Sequence, residues 1–230
     1  MVLSPPDPDE ADGRPRADRV TDMLREAILF HEFAPGEKLR AVQLAERFST
    51  SPTPVRESLA RLAGEGLVTY SPQRGARVAE LSQAEMVDVY EMRALLEPLA
   101  LRRSLARATP DWMAAVTAAH GAMESALVRP FQDMSAAEYT TYERRHLAFH
   151  KALLANCGSR WLLQFTSLLA EQSSRFRRLS LEARGGHRAV TAEHQTILDA
   201  CKALDPDTAS AAMQAHMIRT QNAIAHMLSG

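Results

Sequence analysis

The chain has 230 residues, of which 46% are hydrophobic and 24% charged, and its formal net charge is -1. This length and composition predict a globular protein of one large or two modest domains. A net charge so close to zero excludes a uniformly basic nucleic-acid coat, so any contact with DNA must depend on local charge.

Cysteine usage and hydropathy indicate the compartment. The two cysteines, Cys157 and Cys201, are too few for a disulfide framework and are typical of a reducing environment. No apolar run approaches the ~18 residues of a membrane span, and the first residues lack a signal-peptide pattern. We therefore expect a cytoplasmic protein without a membrane partner.

The N-terminal part of the chain predicts a tail followed by a helix. Residues 1–15 are rich in proline and aspartate and lack periodicity, which is typical of a disordered segment. From Arg16, apolar residues recur at spacings of three and four, and the turn Pro35-Gly36 stops the pattern. The apolar positions of this predicted helix are Val20, Met23, Leu24, Ala27 and Ile28.

Residues 39–66 predict a helix-turn-helix, because two apolar sets at helical spacing flank a polar Ser-Thr-Ser-Pro corner. Ser51 or Thr53 is placed to cap the second helix, and two prolines fall in its first turn, where a missing N–H costs little. Glycines mark its end. The residues concerned are Val42, Leu44, Ala45 and Phe48 in the first set, Val55, Leu59 and Leu62 in the second, Pro52 and Pro54, and Gly64 and Gly66.

The second helix of this pair has an outward face that suits a DNA major groove. With its apolar residues turned inward, Thr53, Arg56, Glu57 and Ala60 face outward. An arginine at the N-terminal end of such a helix pairs with guanine O6/N7 or with phosphate. We therefore expect this helix to be a recognition helix.

Two short strands, 67–70 and 76–79, follow the helix pair and are joined by a loop at residues 71–75. A hairpin in this position is a wing. Arg74, beside Gly75, lies at its tip, where it is placed to enter the minor groove or to contact phosphate. The alternative is that Arg74 is an ordinary solvated turn residue.

The rest of the chain is helical in pattern, with six predicted helices joined by short connections, which is typical of a helical bundle. The predicted spans are 83–108, 110–128, 136–157, 160–183, 188–204 and 206–227. We thus predict a mainly α fold, with a winged helix-turn-helix domain at 16–80 and an all-α bundle of six or seven helices at 81–230.

Four of the eight histidines lie on helix faces that are otherwise apolar. His146 and His150 are four residues apart and project from the same face of one predicted helix. His194 and His216 lie on the inward stripes of two others. A divalent metal is a partner that all four imidazoles can share, although each histidine can instead be a separate buried hydrogen-bonding residue. The other four, His31, His120, His187 and His226, lack this context and are treated as ordinary.

Arg93 is a further inward polar candidate, with Glu97 one turn later on the same predicted helix. The two residues can form a simple i, i+4 ion pair. The alternative is that Arg93 anchors an anionic ligand beside the metal. Spacing alone leaves both interpretations open.

Three groups of residues together resemble a known family, the GntR-type transcription regulators of the branch with a FadR/FCD helical ligand-binding domain. The run from Pro35 to Leu39 resembles the family's PGxxL turn, and the run from Ser51 to Val68 resembles its recognition-helix signature. The third group resembles the metal-binding form of the helical domain and comprises Arg93, Glu97, His150, His194 and His216.

The resemblance implies which residues contact DNA. Ser51, Thr53 and Arg56 match DNA-contacting positions, Arg74 and Gly75 match the wing tip, and Arg40 is counted with them. Pro52 stands where the family usually has a basic residue, which implies a different operator preference.

The resemblance also implies a metal site. The family's acidic metal ligand falls on His146, so the implied metal set is His146, His150, His194 and His216. Four neutral imidazoles favour zinc or nickel over magnesium or calcium and leave the charge of the metal uncompensated. The effector implied is a small organic acid held by Arg93 and Glu97.

The function expected from these observations is a homodimeric, effector-responsive transcription regulator that binds a palindromic operator, with repression as its commoner mode. One alternative is a DNA-binding dimer whose helical domain serves only for dimerisation. A metal-dependent enzyme is a third possibility, but the histidine pair on the third predicted helix of the bundle lacks the glutamate of the zincin motif. We therefore expect a non-enzyme.

Overall fold

The computed structural model describes residues 14–71, 75–183 and 187–228, with the side chains of 178–183 and 187–189 left out of the description. Residues 1–13 of the predicted tail, the predicted wing-tip residue Arg74 and the side chain of His187 therefore lie outside the described residues. The chain divides into two compact units, with the boundary between Glu80 and Leu81.

Among its described residues, the N-terminal unit contains three helices around a small apolar core. They are α1 (Arg16–Leu29), α2 (Ala41–Arg47) and α3 (Pro52–Gly64). On α3, Val55, Leu59 and Leu62 are buried, as the apolar spacing predicts, and they pack with Leu24 and Ile28 of α1. The predicted helix-turn-helix is therefore formed by α2 and α3.

Two residues of the predicted inward stripes lie on the surface instead. Met23 of α1 is 45% exposed and Val42 of α2 is 57% exposed. In each helix the other apolar residues of the predicted stripe are packed into the core, and this one residue is left on the solvent-exposed side of the helix. Helix α1 also ends earlier than the Pro35-Gly36 turn, at Leu29, and His31 follows with a positive φ of 61°.

The end of α3 explains Gly66, the second glycine of the sequence signature. The Gly66 N–H bonds the Ala63 carbonyl, and the Leu67 N–H bonds the Leu62 carbonyl, which is the Schellman pattern of a helix C-terminus. Gly66 takes a φ of 78° in this turn, a conformation that glycine adopts without a steric cost. The turn places Leu67 back in the core, where it leads directly into the sheet.

The wing is a three-stranded antiparallel sheet rather than a simple hairpin. Its strands are β1 (Lys38–Leu39), β2 (Val68–Ser71) and β3 (Gly75–Val78), in the order β1-β3-β2. Val68 pairs with Val78 across the hairpin, and Leu39 pairs with Ala76. Sequence analysis missed β1, because two residues are too short for an alternating pattern to appear.

The C-terminal unit contains six α-helices within the described residues. They are α4 (Gln83–Leu105), α5 (Pro110–Ser125), α6 (Ala136–Leu154), α7 (Arg160–Ala183), α8 (His187–Lys202) and α9 (Pro206–Leu228), with a short 3₁₀ turn at Phe131–Asp133 before α6. The predicted spans were up to three residues too long at several C-terminal ends. The fold class, a winged helix-turn-helix and a helical bundle, is confirmed.

Local capping explains where these helices begin. Ser82 and Thr109 accept hydrogen bonds from backbone N–H groups three residues later, and Asp205 does so at the start of α9. Ser135 and Glu138 form a reciprocal capping box at the start of α6. The caps of α4, α6 and α9 fix the starts of three helices that carry inward polar residues described below. Among the described residues, no helix is long and apolar enough to cross a membrane.

Candidate functional site

Four buried imidazoles converge at the centre of the helical unit. His146 and His150 come from α6, His194 from α8 and His216 from α9. One ligand-capable nitrogen from each ring lies within 4.8 Å of those of the other three, and each residue is no more than 4% exposed. The four histidines that the sequence singles out are therefore brought together in one cluster.

Two carboxylates orient rings of this cluster. His150 donates from Nδ1 to Oε2 of Glu97 at 3.2 Å, and His216 donates from Nδ1 to Oε2 of Glu193 at 2.7 Å. Because Nδ1 carries the hydrogen in these bonds, Nε2 of each ring carries the lone pair. A carboxylate behind a histidine is the usual outer-shell arrangement of a metal-ligating imidazole.

The other two rings face each other directly. Nε2 of His146 lies 3.2 Å from Nε2 of His194. The guanidinium of Arg177 comes within 3.5 Å of the same His146 nitrogen. Its positive charge disfavours a further cation nearby, but Glu143 accepts a 2.6 Å hydrogen bond from Nε of Arg177 and offsets that charge.

The environment keeps three of the imidazoles, those of His146, His150 and His194, neutral. Burial lowers the pKa of His146 and of His194 well below the usual value, and the neighbouring positive charges lower it further. Burial also lowers the pKa of His150 to about 4, although its Glu97 partner acts in the opposite direction. A neutral imidazole has the free lone pair that metal coordination requires.

The donor set fits a divalent transition metal. Among the described residues, Nε2 of His150 and Nδ1 of both His146 and His194 are buried without a hydrogen-bond partner. Buried polar atoms of this kind are unfavourable unless something satisfies them. A metal ion within the cluster would satisfy Nε2 of His150, an atom that four separately bonded histidines leave without a partner.

Arg93 and Glu97 lie beside the cluster on α4. Nε of Arg93 donates to Oε1 of Glu97 at 2.5 Å, and both side chains are 1% exposed. Burial raises the pKa of Glu97, but the charge of Arg93 and the His150 hydrogen bond together lower it to about 2. Both oxygens of Glu97 are thus engaged, one by Arg93 and the other by His150.

A second buried arginine joins Arg93 at one serine. Nη1 of Arg93 donates to Oγ of Ser173 at 2.6 Å, and Nη2 of Arg177 donates to the same oxygen at 3.4 Å. Nη2 of Arg93 is buried without a hydrogen-bond partner among the described residues. Two guanidinium groups, each paired with its own buried carboxylate, therefore lie on one side of the histidine cluster.

A cavity of about 430 Å³ meets the buried centre at Glu97 and His150. Its lining includes Glu97 and His150 from the buried centre, the apolar side chains of Leu154 and Leu163, and Lys151 toward the surface. The volume lies within the range of small-molecule sites.

In the N-terminal unit, four of the predicted DNA-contacting residues are exposed. Arg40, Ser51, Thr53 and Arg56 are all accessible. Ser51 occupies the N-cap position of α3, but its side chain makes no capping hydrogen bond there. Gly75 begins β3 with a φ of 72°. The start of α3 therefore presents hydroxyl and guanidinium groups to the outside.

Comparison with known proteins agrees with both units. The model for bacterial regulatory proteins of the gntR family matches residues 16–78, and the FCD domain model matches residues 88–219. The chain belongs to the gntR family and carries an FCD domain. It is thus a DNA-binding transcription regulator with a ligand-binding domain.

Relatives of this GntR-family chain include named repressors. It is 32% identical over 218 residues to the HTH-type transcriptional repressor GlaR of Escherichia coli (strain K12), covering 90% of this chain and 94% of that protein. It is 27% identical to a probable D-xylose utilization operon transcriptional repressor of Paenarthrobacter nicotinovorans, covering 93% and 91%. Among solved structures, E. coli McbR/YncC superposes with a TM-score of 0.77 at 20% identity, covering 94% and 100%, which supports the fold.

Sequence analysis of this GntR-family chain missed four residues around the site. Glu143, Ser173, Arg177 and Glu193 were not singled out, although Leu162, Thr166, Ala170, Ser173 and Arg177 follow one another at helical spacing and are all buried. That small and polar stripe was the available signal. His120 also differs from its expected ordinary environment, since it is 6% exposed and packs edge-on against Phe149 at 5.2 Å.

Proposed function

We propose that this regulator is a homodimeric repressor that binds a palindromic operator and responds to a small organic acid held beside a metal ion. The convergence of four buried imidazoles in the helical unit is the observation that carries the proposal. A buried cluster of this composition has no evident role in packing, because apolar side chains would fill the same space without unsatisfied nitrogen atoms.

Operator recognition is assigned to the start of α3 and to the wing. Ser51, Thr53 and Arg56 would contact bases or phosphates in the major groove, with Arg40 at the backbone. Gly75 and Arg74 would approach DNA at the wing tip, although Arg74 lies outside the described residues. Pro52 donates no hydrogen bond, so the neighbouring residues must provide the specificity at that position.

The metal is assigned to His146, His150, His194 and His216. Four imidazole nitrogens suit zinc or nickel better than magnesium or calcium, which prefer oxygen ligands. When bound, the metal would supply a Lewis-acidic position for an oxygen atom of the effector. Glu97 and Glu193 would hold their histidines in the ligating tautomer.

The carboxylate of the effector is assigned to Arg93. Its unbonded Nη2 supports this role, and Ser173 and Arg177 lie close enough to contribute further donors. We assign Glu97 to orienting Arg93 and His150 rather than to direct contact, because both of its oxygens are already engaged. The neighbouring cavity offers space for the rest of a small molecule.

Regulation then follows from differential affinity. An effector that binds one arrangement of the dimer more tightly than another shifts the population toward it, and the operator affinity changes by the same coupling free energy. The conventional expectation for a repressor is that the effector favours the arrangement with the lower operator affinity.

The test is a fluorescence-anisotropy titration of the metal-loaded protein on DNA from the promoter region beside its own gene. Specific binding is expected, together with a decrease in affinity on addition of a panel of small mono- and dicarboxylates. No specific binding would contradict the operator proposal. If DNA binds and no acid changes either the affinity or the melting temperature, the helical unit serves only for dimerisation.

A further inference from the structure

The cavity between α6 and α7 offers more space than the carboxylate of an effector uses. Its volume of about 430 Å³ lies within the range of sites that enclose a drug-sized ligand. It meets the buried centre only at Glu97 and His150 among its lining residues. The chemistry of the remaining walls therefore indicates what the rest of the effector is.

The cavity leads from the protein surface to the edge of the histidine cluster. At its inner end, Glu97 and His150 are buried. Ala170 belongs to this end as well, because the next residue, Glu171, accepts a 3.3 Å hydrogen bond from Lys151, the residue after His150. The exposed lining residues are Lys151, Ala155 and Gln164. A ligand can thus have one end at the buried centre and the other near solvent.

Between the two ends the walls are apolar. The hydroxyls of this stretch are already engaged within the chain, since Thr166 donates to a carbonyl of its own helix at 2.8 Å and Ser167 donates to Glu171 at 3.3 Å. A polar group of a ligand would gain no donor from Thr166 or Ser167 and would lose its hydration, which is unfavourable. The apolar residues are Leu154, Leu163 and Ala170.

The length of the cavity limits the length of the ligand. Ala170 and Leu163 are two turns apart on α7, a distance of ~10 Å along the helix axis. With C–C bonds of about 1.5 Å, an extended chain of roughly eight carbons spans this distance. A longer chain would pass Ala155 and enter solvent.

We propose that the effector is a straight-chain monocarboxylic acid, with its carboxylate at the buried centre and a hydrocarbon body of roughly five to eight carbons along this cavity. The inference rests on the proposed function, which assigns the carboxylate to Arg93 and the metal, and it adds the chemistry of the rest of the molecule. Short acids that carry a second carboxylate are excluded as good ligands, because that group would lie against the apolar wall.

A homologous series of acids tests the proposal. Straight-chain monocarboxylates from acetate to decanoate are titrated into the metal-loaded protein by calorimetry. Each buried methylene should lower the Kd about three- to fourfold, and the gain should stop near octanoate, where the chain leaves the cavity. Succinate should bind more weakly than butanoate. A Kd that does not change with chain length, or tighter binding of succinate than of butanoate, would overturn the proposal.

Two substitutions that fill the cavity locate the chain. Ala170→Leu at the inner end should weaken binding of butanoate and of every longer acid by about tenfold, the affinity that roughly two methylenes provide, and leave acetate unchanged. Ala155→Leu at the outer end should weaken octanoate alone. Because Ala155 is exposed, its variant remains informative if the buried substitution prevents folding.

Ala115→Leu is the matched control, because Ala115 is an exposed alanine of α5 that does not line the cavity. This variant should bind the whole series as the wild type does. Octanoate binding that neither Ala170→Leu nor Ala155→Leu changes would place the hydrocarbon chain elsewhere and contradict the inference.

The series also separates this inference from the proposed function. If all the acids bind with one Kd and still weaken operator binding, the effector is a small acid and only the apolar body is wrong. If no acid of the series binds the metal-loaded protein, the inference fails together with the carboxylate assigned to Arg93. Metal content of the histidine variants still tests the metal site by itself.

Discussion

The two units use the same types of side chain in opposite environments. Arg56 of the N-terminal unit is exposed, whereas Arg93 of the helical unit is 1% exposed and held by Glu97. An arginine that contacts a DNA groove needs only a rigid helix to position it, because the bases or phosphates of the DNA supply its hydrogen-bond partner. A buried arginine must have its own carboxylate before any ligand arrives, since an unpaired charge in the interior is strongly destabilising.

The histidines extend this contrast. The helical unit buries four imidazoles against two carboxylates and a guanidinium, whereas the ion pairs described in the N-terminal unit, such as Arg61 with Asp18, are partly or largely exposed. Exposed pairs contribute little to stability, and buried ones are sensitive to the loss of either member. The four predictions below test this difference, starting from the largest expected effect.

The first prediction concerns the loss of metal when two of its proposed ligands are substituted. His150→Ala with His194→Ala takes two of four ligands from the cluster, and two imidazoles hold a transition metal far more weakly than four. Metal analysis after purification in zinc or nickel should fall from about one ion per chain to near zero. His226→Ala, which changes an exposed histidine of α9, is the control and should keep its metal. Full metal content in the double variant would contradict the assignment of these ligands.

The second prediction compares a buried and an exposed ion pair on the same helix. Arg93→Met leaves the carboxylate of Glu97 buried without its guanidinium, and urea denaturation should show a loss of about 3–5 kcal/mol in the free energy of unfolding. Arg102→Met breaks an exposed pair with Asp207 and should cost less than about 1 kcal/mol.

Adding Glu97→Gln to Arg93→Met supplies the control for charge. Most of the lost stability should return, because no uncompensated charge then remains in the interior. Similar losses of unfolding free energy for Arg93→Met and Arg102→Met would contradict the expectation that the buried ion pair matters more for stability than the exposed one.

The third prediction concerns the exposed arginine. Arg56→Ala should weaken operator binding by about 1–3 kcal/mol and leave the thermal stability unchanged. Arg61→Ala, on the same helix but paired with Asp18, should weaken it much less. Unchanged operator affinity of Arg56→Ala in an anisotropy titration would remove this residue from the recognition surface.

The fourth prediction uses the pH dependence of the metal-free protein. In the folded state the pKa values of His146, His150 and His194 are lowered, that of His150 to about 4. These imidazoles therefore stay neutral at pH values at which an exposed histidine is already protonated. The unfolded chain takes up protons at these residues below pH ~6.5, so it binds more protons than the folded state and stability falls as the pH falls from about 6.5 to 4.

Calorimetry of the chelator-treated protein should show a melting temperature lower by roughly 5 °C or more at pH 5 than at pH 7. Below pH ~4.5 the loss should continue, because the pKa of Glu97 is also lowered, to about 2. His150→Gln, which cannot titrate, should reduce the slope between pH 7 and pH 5. A melting temperature that is flat over this range would contradict the burial of neutral imidazoles.

The sequence by itself predicted most of the secondary structure and most of the residues that the structure brings together in the candidate site. Apolar spacing placed Val55, Leu59 and Leu62 inside, caps such as Thr109 and Asp205 set the starts of helices, and the histidines fell on inward faces. These signals are local, because a helix fixes the direction of each side chain from its neighbours within a few turns. The family resemblance was also carried by contiguous motifs and is confirmed by the comparisons.

Only the tertiary structure decided which inward residues meet. Ser173 of α7 accepts a hydrogen bond from Arg93 of α4, and Glu193 of α8 accepts one from His216 of α9. These contacts span 23 to 80 residues in sequence, and they depend on how the helices pack rather than on any periodicity within one helix. For the same reason Val42 and Met23, apolar and correctly spaced, lie on the surface: whether a helix face is buried depends on the neighbour that covers it.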